Sequence, residues 1–257
     1  MKDPAFLHEL RGLGAELVVT AAFGRILSRD VLALPPLGCF NVHFSLLPAY
    51  RGPAPVARAI LNGERETGIS IFRMDEGTDT GPVLASARLA VDPGDTTGSL
   101  TGRLAGLARE ILPSALEDVV RGRARYTPQD PALATHAPMI RKSEGRIEWT
   151  MGAEEIRTRI RAMDPWPGAF TYWQGKRLRL WRADSEPGEA PGGGEPGRVT
   201  EVRPHGIVVD TGRGSLVVVS LQVEGGKRLE AADFLRGHAL AVGDRFLEEP
   251  GGQPPGP

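Results

Sequence analysis

A single cysteine in 257 residues excludes an internal disulfide framework, and Cys39, set in an apolar run, reads as a buried inert thiol. No segment approaches the ~18 consecutive apolar residues of a membrane span, and the N-terminus lacks a signal-peptide core, so the chain reads as cytoplasmic with no membrane partner. The five histidines are scattered without ligand spacing, and no metal is expected. An excess of one charge is missing too. Lys and Arg total 31 against 32 Asp and Glu, a formal net charge of −1, which argues against a general nucleic-acid coat but permits a local basic patch. Hydrophobic residues at 40% and charged residues at 25% describe a folded globular protein. None of these features calls for an obligate protein partner.

What is present is a polar constellation in two pieces. Asn41-Val42-His43 runs into Ser45-Leu46-Leu47-Pro48, Arg51-Gly52 and Pro55, and Asp79-Thr80-Gly81 follows after a second apolar run. Asn donates hydrogen bonds without charge, His holds a proton near neutral pH, and Asp can orient that His and receive a proton. Together they suit acyl-type transfer through a tetrahedral intermediate without a Ser or Cys nucleophile. Taken singly, each has an ordinary structural reading: a satisfied histidine, a strand-end cap, a turn.

Strand–helix alternation over the first 120 residues predicts an α/β layer domain. Helices are expected at 4–12 and 54–62, and strands at 17–20, 38–42, 67–74 and 82–90. Leu100, Leu104, Leu107, Ile111, Leu112 and Leu116 recur at helical spacing up to about Val120, with Pro113 expected to kink or break that helix. Residues 123–138 are Pro-dotted and read as a linker. Beyond them a helix over 154–163 and strands at 169–173, 176–183, 198–203, 206–210 and 215–223, with a short helix at 231–236, suggest a small β-barrel over 139–248. The Gly-rich loop at 186–197 and the tail 249–257 read as disordered.

The ordered series from Asn41 through Pro55, then Glu66-Thr67-Gly68 and Met74 to Gly81, closely resembles the folate-dependent formyltransferases. Thr20 to Leu27 looks like that family's pterin-cupping loop. The resemblance implies a partial doubly wound, Rossmann-like catalytic domain over 1–122, with Asn41, His43 and Asp79 as catalytic groups. It implies 10-formyltetrahydrofolate as co-substrate, held by Phe23, Gly24, Ile26, Leu27, Ser45, Leu46, Leu47, Pro48, Asp75 and Thr78.

Farther on, Arg141 to Trp149, Pro165 to Phe170 and Lys227 to Gly237 are similar to the C-terminal domain of the methionyl-tRNA formyltransferases, an OB-like barrel. Residues 139–182 carry ten Lys/Arg and five Asp/Glu. Such an excess is ordinarily a solvated face; with the resemblance it implies contact with initiator Met-tRNA through Arg51, Arg141, Lys142 and Arg146. Two alternatives stand beside this: a sugar-nucleotide N-formyltransferase, and an inactive folate- or RNA-binding fragment. The resemblance further implies that the chain begins late, without the first βα units and their tRNA-inserting loop. Leu17–Thr20 would then be an unprotected edge, giving self-association and little activity until those units are restored.

Overall fold

The computed structural model describes residues 4–24, 26–186 and 194–251. It divides into two units, Met1–Asp95 with Ser99–Met139, and Thr96–Gly98 with Ile140–Pro257. The first contains α1 (Pro4–Gly12), β1 (Val18–Ala21), α2 (Arg29–Leu32), β2 (Cys39–His43), α3 (Pro55–Leu61), β3 (Glu66–Arg73), β4 (Val83–Ala90) and most of α4 (Thr97–Val120).

The four strands pair in the order β1-β2-β3-β4, β1 parallel to β2 and the rest antiparallel. The sheet is therefore mixed, and the parallel, doubly wound pattern is confined to one strand pair. β2 and β3 are inner strands with nearly continuous burial, whereas β4 alternates toward solvent, as expected of a strand nearer the edge. At the start of β2, Cys39 joins Leu27 and Val31 in a buried cluster capped by Leu7, Leu10, Val18, Leu32 and Met74. Burial pushes the Cys39 thiol up from its ordinary pKa, with Arg73 as the opposing influence.

α4 is not broken at Pro113, one of the two outcomes expected there. It runs unbroken through Pro113, burying Leu100, Leu104, Ala108, Ala115 and Val119 on one stripe. Pro113 and Arg109, whose carbonyl loses its helical partner, both face solvent. Water can satisfy that carbonyl, so the proline does not force a break.

Residues 123–138 lie along the first unit as a strap. Val83 and Thr127 exchange backbone hydrogen bonds of 2.9 and 2.8 Å. Arg51 N–H donates to Thr135 O at 2.8 Å, and Ala137 N–H donates to Arg51 O at 2.7 Å. A short 3-10 turn at Pro131–Leu133 is capped by Asp130, which accepts from Ala132 N–H.

The second unit holds α5 (Ala153–Met163), β5 (Ala169–Trp173), β6 (Lys176–Glu186), β7 (Val199–Arg203), β8 (Gly206–Asp210), β9 (Ser215–Val223), β10 (Leu229–Glu230) and α6 (Ala231–Gly237). Its sheet runs β5-β6-β9-β8-β7, with β10 on β9. Trp149, Ile147, Ile156, Ile160, Leu180 and Phe234 are among its buried side chains. The expected barrel is not closed by strand pairing among the described residues. Between β5 and β7 lies instead the segment 243–247, where Leu247 and Tyr172 exchange backbone bonds of 2.8 Å and Phe246 N–H donates to Gly197 O. Residues 187–193 and 252–257, on which the expected disordered loop and tail largely fall, lie outside the described residues.

Candidate active site

β2 sends odd-numbered side chains to one face, and the polarity of that face changes along its length. Cys39 is in the apolar cluster, whereas Asn41 and His43 stand at the carboxyl end. Asn41 is flanked by Thr20 of β1, its Cα partner in the parallel ladder. The Thr20 hydroxyl lies 2.9 Å from Asn41 Oδ1. Accepting there leaves the Asn41 amide nitrogen on the other side of the group, and no partner for it is recorded among the described residues.

His43 is buried, and its Nε2 lies 2.9 Å from the Tyr50 carbonyl. A carbonyl only accepts, so Nε2 carries the hydrogen, leaving Nδ1 to face Asp79 Oδ2 at 3.7 Å. Tyr50 is itself fixed. Its hydroxyl donates to Glu64 at 2.6 Å and accepts from Asn62 at 2.9 Å. Burial, then the Glu64 bond, pushes the phenol up to about 12.

Asp79 reaches His43 by an indirect path. Because β3 is antiparallel to β2, it ends beside Phe40, at the far end from His43. The loop 74–82 folds back along β2 to bring Asp79 to the site. Asp75 closes that loop, accepting from Gly77 N–H at 3.0 Å and from the Thr80 hydroxyl at 2.6 Å. Asp79 has φ +55°, in the left-handed region, and its Oδ2 accepts the Gly52 N–H at 2.8 Å. Gly52, at φ +121°, lies so near the strap that a Cβ there would sit 2.7 Å from Ala137 O.

Other expected residues divide into exposed and internal. Phe23 and Ile26 are 48% and 70% exposed, and Gly24 and Thr78 are exposed as well. Leu27 packs in the apolar cluster, so its side chain faces the core. Ser45 is buried: its hydroxyl donates to Ala49 O at 2.6 Å and its carbonyl accepts from Ser70 Oγ at 2.8 Å. Ser70 Oγ also accepts Leu47 N–H at 2.9 Å, and Leu46 N-terminal to it accepts from Ala49 N–H, so the Ser45–Pro48 turn is internally pinned. Arg51 is buried, its Nε and Nη2 donating to Gln129 Oε1 at 3.0 and 2.7 Å. That contact commits its Nε and Nη2 to Gln129 within the first unit.

In the second unit Arg141 and Lys142 are exposed, while Arg146 pairs with Glu249 at 3.2 Å. β6 adds a face that the sequence motifs touch only at Phe170 and Arg228. The Arg177 guanidinium lies 4.1 Å from the centre of the Phe170 ring, and those of Arg228 and Arg179 lie 5.3 and 6.0 Å from that of Trp181.

Two family models match the chain, formyl transferase over residues 1–116 and formyl transferase, C-terminal domain, over 139–239. The methionyl-tRNA formyltransferase of Myxococcus xanthus is 46% identical over 245 residues, covering 95% of this chain and 77% of that protein. The chain belongs to the formyl transferase family. A second methionyl-tRNA formyltransferase, from Moorella thermoacetica, is 44% identical over 95% of this chain and 78% of its own length. Among solved structures, HypX from Aquifex aeolicus in complex with tetrahydrofolic acid superposes with a TM-score of 0.70 at 24% identity, over 91% of this chain and 41% of that one. Methionyl-tRNA formyltransferase from Clostridium thermocellum gives 0.58 at 21% identity, over 72% and 79%. At those identities the structures establish a shared fold.

Three residues that hold this candidate site were given no role of their own in the sequence reading. Thr20 had a usable signal, since a polar residue closing an apolar strand next to Asn41's strand suggests a face shared with it. Tyr50 acts through its carbonyl, which any residue carries. Gln129 sits in a stretch whose composition reads as a linker.

Proposed function

We propose that this chain transfers the formyl group of 10-formyltetrahydrofolate to the methionine amino group of initiator Met-tRNA, a cytoplasmic step of translation initiation. The observation that carries the reading is the juxtaposition of Asn41, its Oδ1 held by Thr20, with His43 and Asp79, Nδ1 to Oδ2 at 3.7 Å, at the carboxyl end of β2. The relatives of 40–46% identity over about 95% of the chain favour this acceptor. Exposed Phe23 and Ile26 offer apolar contact for a pterin, and the pinned Ser45–Pro48 turn offers backbone groups for its polar edge.

In the proposed reaction the neutral amine attacks the formyl carbon. The carbonyl oxygen becomes an oxyanion stabilised by Asn41 Nδ2–H and by protonated His43. Asp79 takes the proton lost by the attacking nitrogen, which is cationic once the C–N bond has formed. The oxyanion then re-forms the carbonyl as the bond from carbon to folate N10 breaks, and N10 receives the proton held by Asp79, so charge and protons balance. With Nε2 tied to Tyr50 O, His43 exchanges protons through Nδ1.

We read the second sheet, with 243–247 filling its gap, as an OB-like barrel whose exposed Arg141 and Lys142 meet tRNA phosphates. A sugar-nucleotide N-formyltransferase is the second reading, since WlaRD, a sugar 3N-formyl transferase, shares the fold at a TM-score of 0.60 and 17% identity. The test is formylation measured on Met-tRNA and on amino-sugar nucleotides with one preparation. Transfer to Met-tRNA alone supports the proposal; transfer to the sugar alone overturns it.

A further inference from the structure

Gln129 belongs to the strap, yet its amide touches both halves of the site. Oε1 accepts from Arg51 Nε and Nη2, at 3.0 and 2.7 Å. Nε2 donates to Asp79 O at 2.9 Å and to Gly81 O at 2.7 Å. All four hydrogen-bonding capacities of the amide are used, and only one orientation of it works, because the guanidinium can only donate and the carbonyls only accept. From the first loop, Arg51 is in turn fixed by Thr135 and Ala137 through its backbone.

This contact falls where the loop 74–82 most needs it. The loop leaves β3 beside Phe40 and must return to His43. Asp79 sits at φ +55°, a conformation that Asp tolerates but that costs free energy unless its surroundings hold it. Gly81 lies against the backbone of Arg73, where a Cβ would come 1.8 Å from the Arg73 carbonyl, so the chain on that side of Asp79 has little room to move. The Asp79 carboxylate accepts from Gly52 N–H, whose own loop also rests on the strap.

We propose that Gln129 is a positioning residue for formyl transfer: by bridging Arg51 to the Asp79 and Gly81 carbonyls it sets the carboxylate opposite His43 Nδ1. The inference rests on the function proposed above. Gln129 does not meet substrate; it acts through Asp79.

Two variants test it. Gln129→Met keeps the length and removes every hydrogen bond. Gln129→Glu keeps an acceptor for Arg51 but sets a carboxylate against two carbonyls. Both are expected to lower kcat about 10- to 100-fold, with KM for donor and for Met-tRNA within about twofold of the original, since a small misplacement of a reacting group acts on the transition state. The Gly52 amide, which donates to Asp79, is expected to exchange faster with solvent by NMR while the melting temperature of Gln129→Glu holds. A strap that only ties down structure would lower the melting temperature and spare kcat, and Gln129→Glu, with Arg51 still engaged, would behave as the original. Retention of kcat in Gln129→Glu overturns the inference, as does an unchanged Gly52 amide in both variants. Absence of transfer to Met-tRNA in the unaltered chain contradicts the proposed function instead, and the Gly52 amide still reports whether Gln129 places Asp79.

Discussion

Asn41 and His43 differ in how firmly the structure fixes their working ends. His43 is held by a backbone carbonyl that no side-chain substitution at Tyr50 removes. Asn41 depends on one hydroxyl. Asn41→Ala is expected to lower kcat by ~10²- to 10³-fold, the scale for loss of an oxyanion donor, with donor affinity little changed. Thr20→Val keeps the strand-forming shape and removes the hydroxyl, so the amide can turn over and offer its oxygen to the oxyanion in part of the population. A smaller loss of kcat, about 5- to 20-fold, is expected from that misorientation, measured in the same steady-state assay. Equal rates for Thr20→Val and the unaltered chain would show that Asn41 is oriented without Thr20.

At the scale of elements, the strands and helices were legible where apolar periodicity was long. β3, β8, β9 and α4 follow from their patterns almost to the residue. A break at Pro113 was expected because proline loses one helical bond, but the freed Arg109 carbonyl is on the solvent side. Pro113→Ala should restore that bond and raise the unfolding free energy by about 1–2 kcal/mol in urea titration, the helix gain being partly offset by a freer unfolded chain. No gain would mean that the helix already adjusts around the proline at no cost. The polar triad was also legible, because Asn41, His43 and Asp79 stand in ordered motifs. How they meet was not. Loops that follow parallel strands meet at one end of a sheet, as those after β1 and β2 do. β3 runs the other way, and Asp79 arrives by a fold-back whose anchors, Gly52 N–H and Gln129, are a backbone group and a residue in apparent linker. Arg51, expected at the nucleic acid, is buried for the same reason, since residue type alone does not say that an Arg will be claimed by Gln129.

For the whole molecule, near-neutral net charge means that any tRNA affinity rests on local charge. Arg141 and Lys142 are exposed, and no ion pair involving either is recorded among the described residues. If each meets a phosphate, changing both to Ala should reduce the log–log salt slope of Met-tRNA affinity by ~1.5, with donor binding unchanged. Arg146→Ala should change the slope less, since Glu249 already neutralises it. A slope unaffected by the double change would move the contact elsewhere, with the arginine–aromatic face of β6 as the next surface to alter.

The most direct measurement is single-turnover formylation of Met-tRNA from 10-formyltetrahydrofolate by the unaltered chain and by Asp79→Ala, both saturated with substrates. Formyl-methionine should form on the tRNA at a rate at least ~10²-fold slower in Asp79→Ala, the scale of a lost acid–base group. Equal rates in the two proteins, or no formyl-methionine from the unaltered chain, would contradict the account.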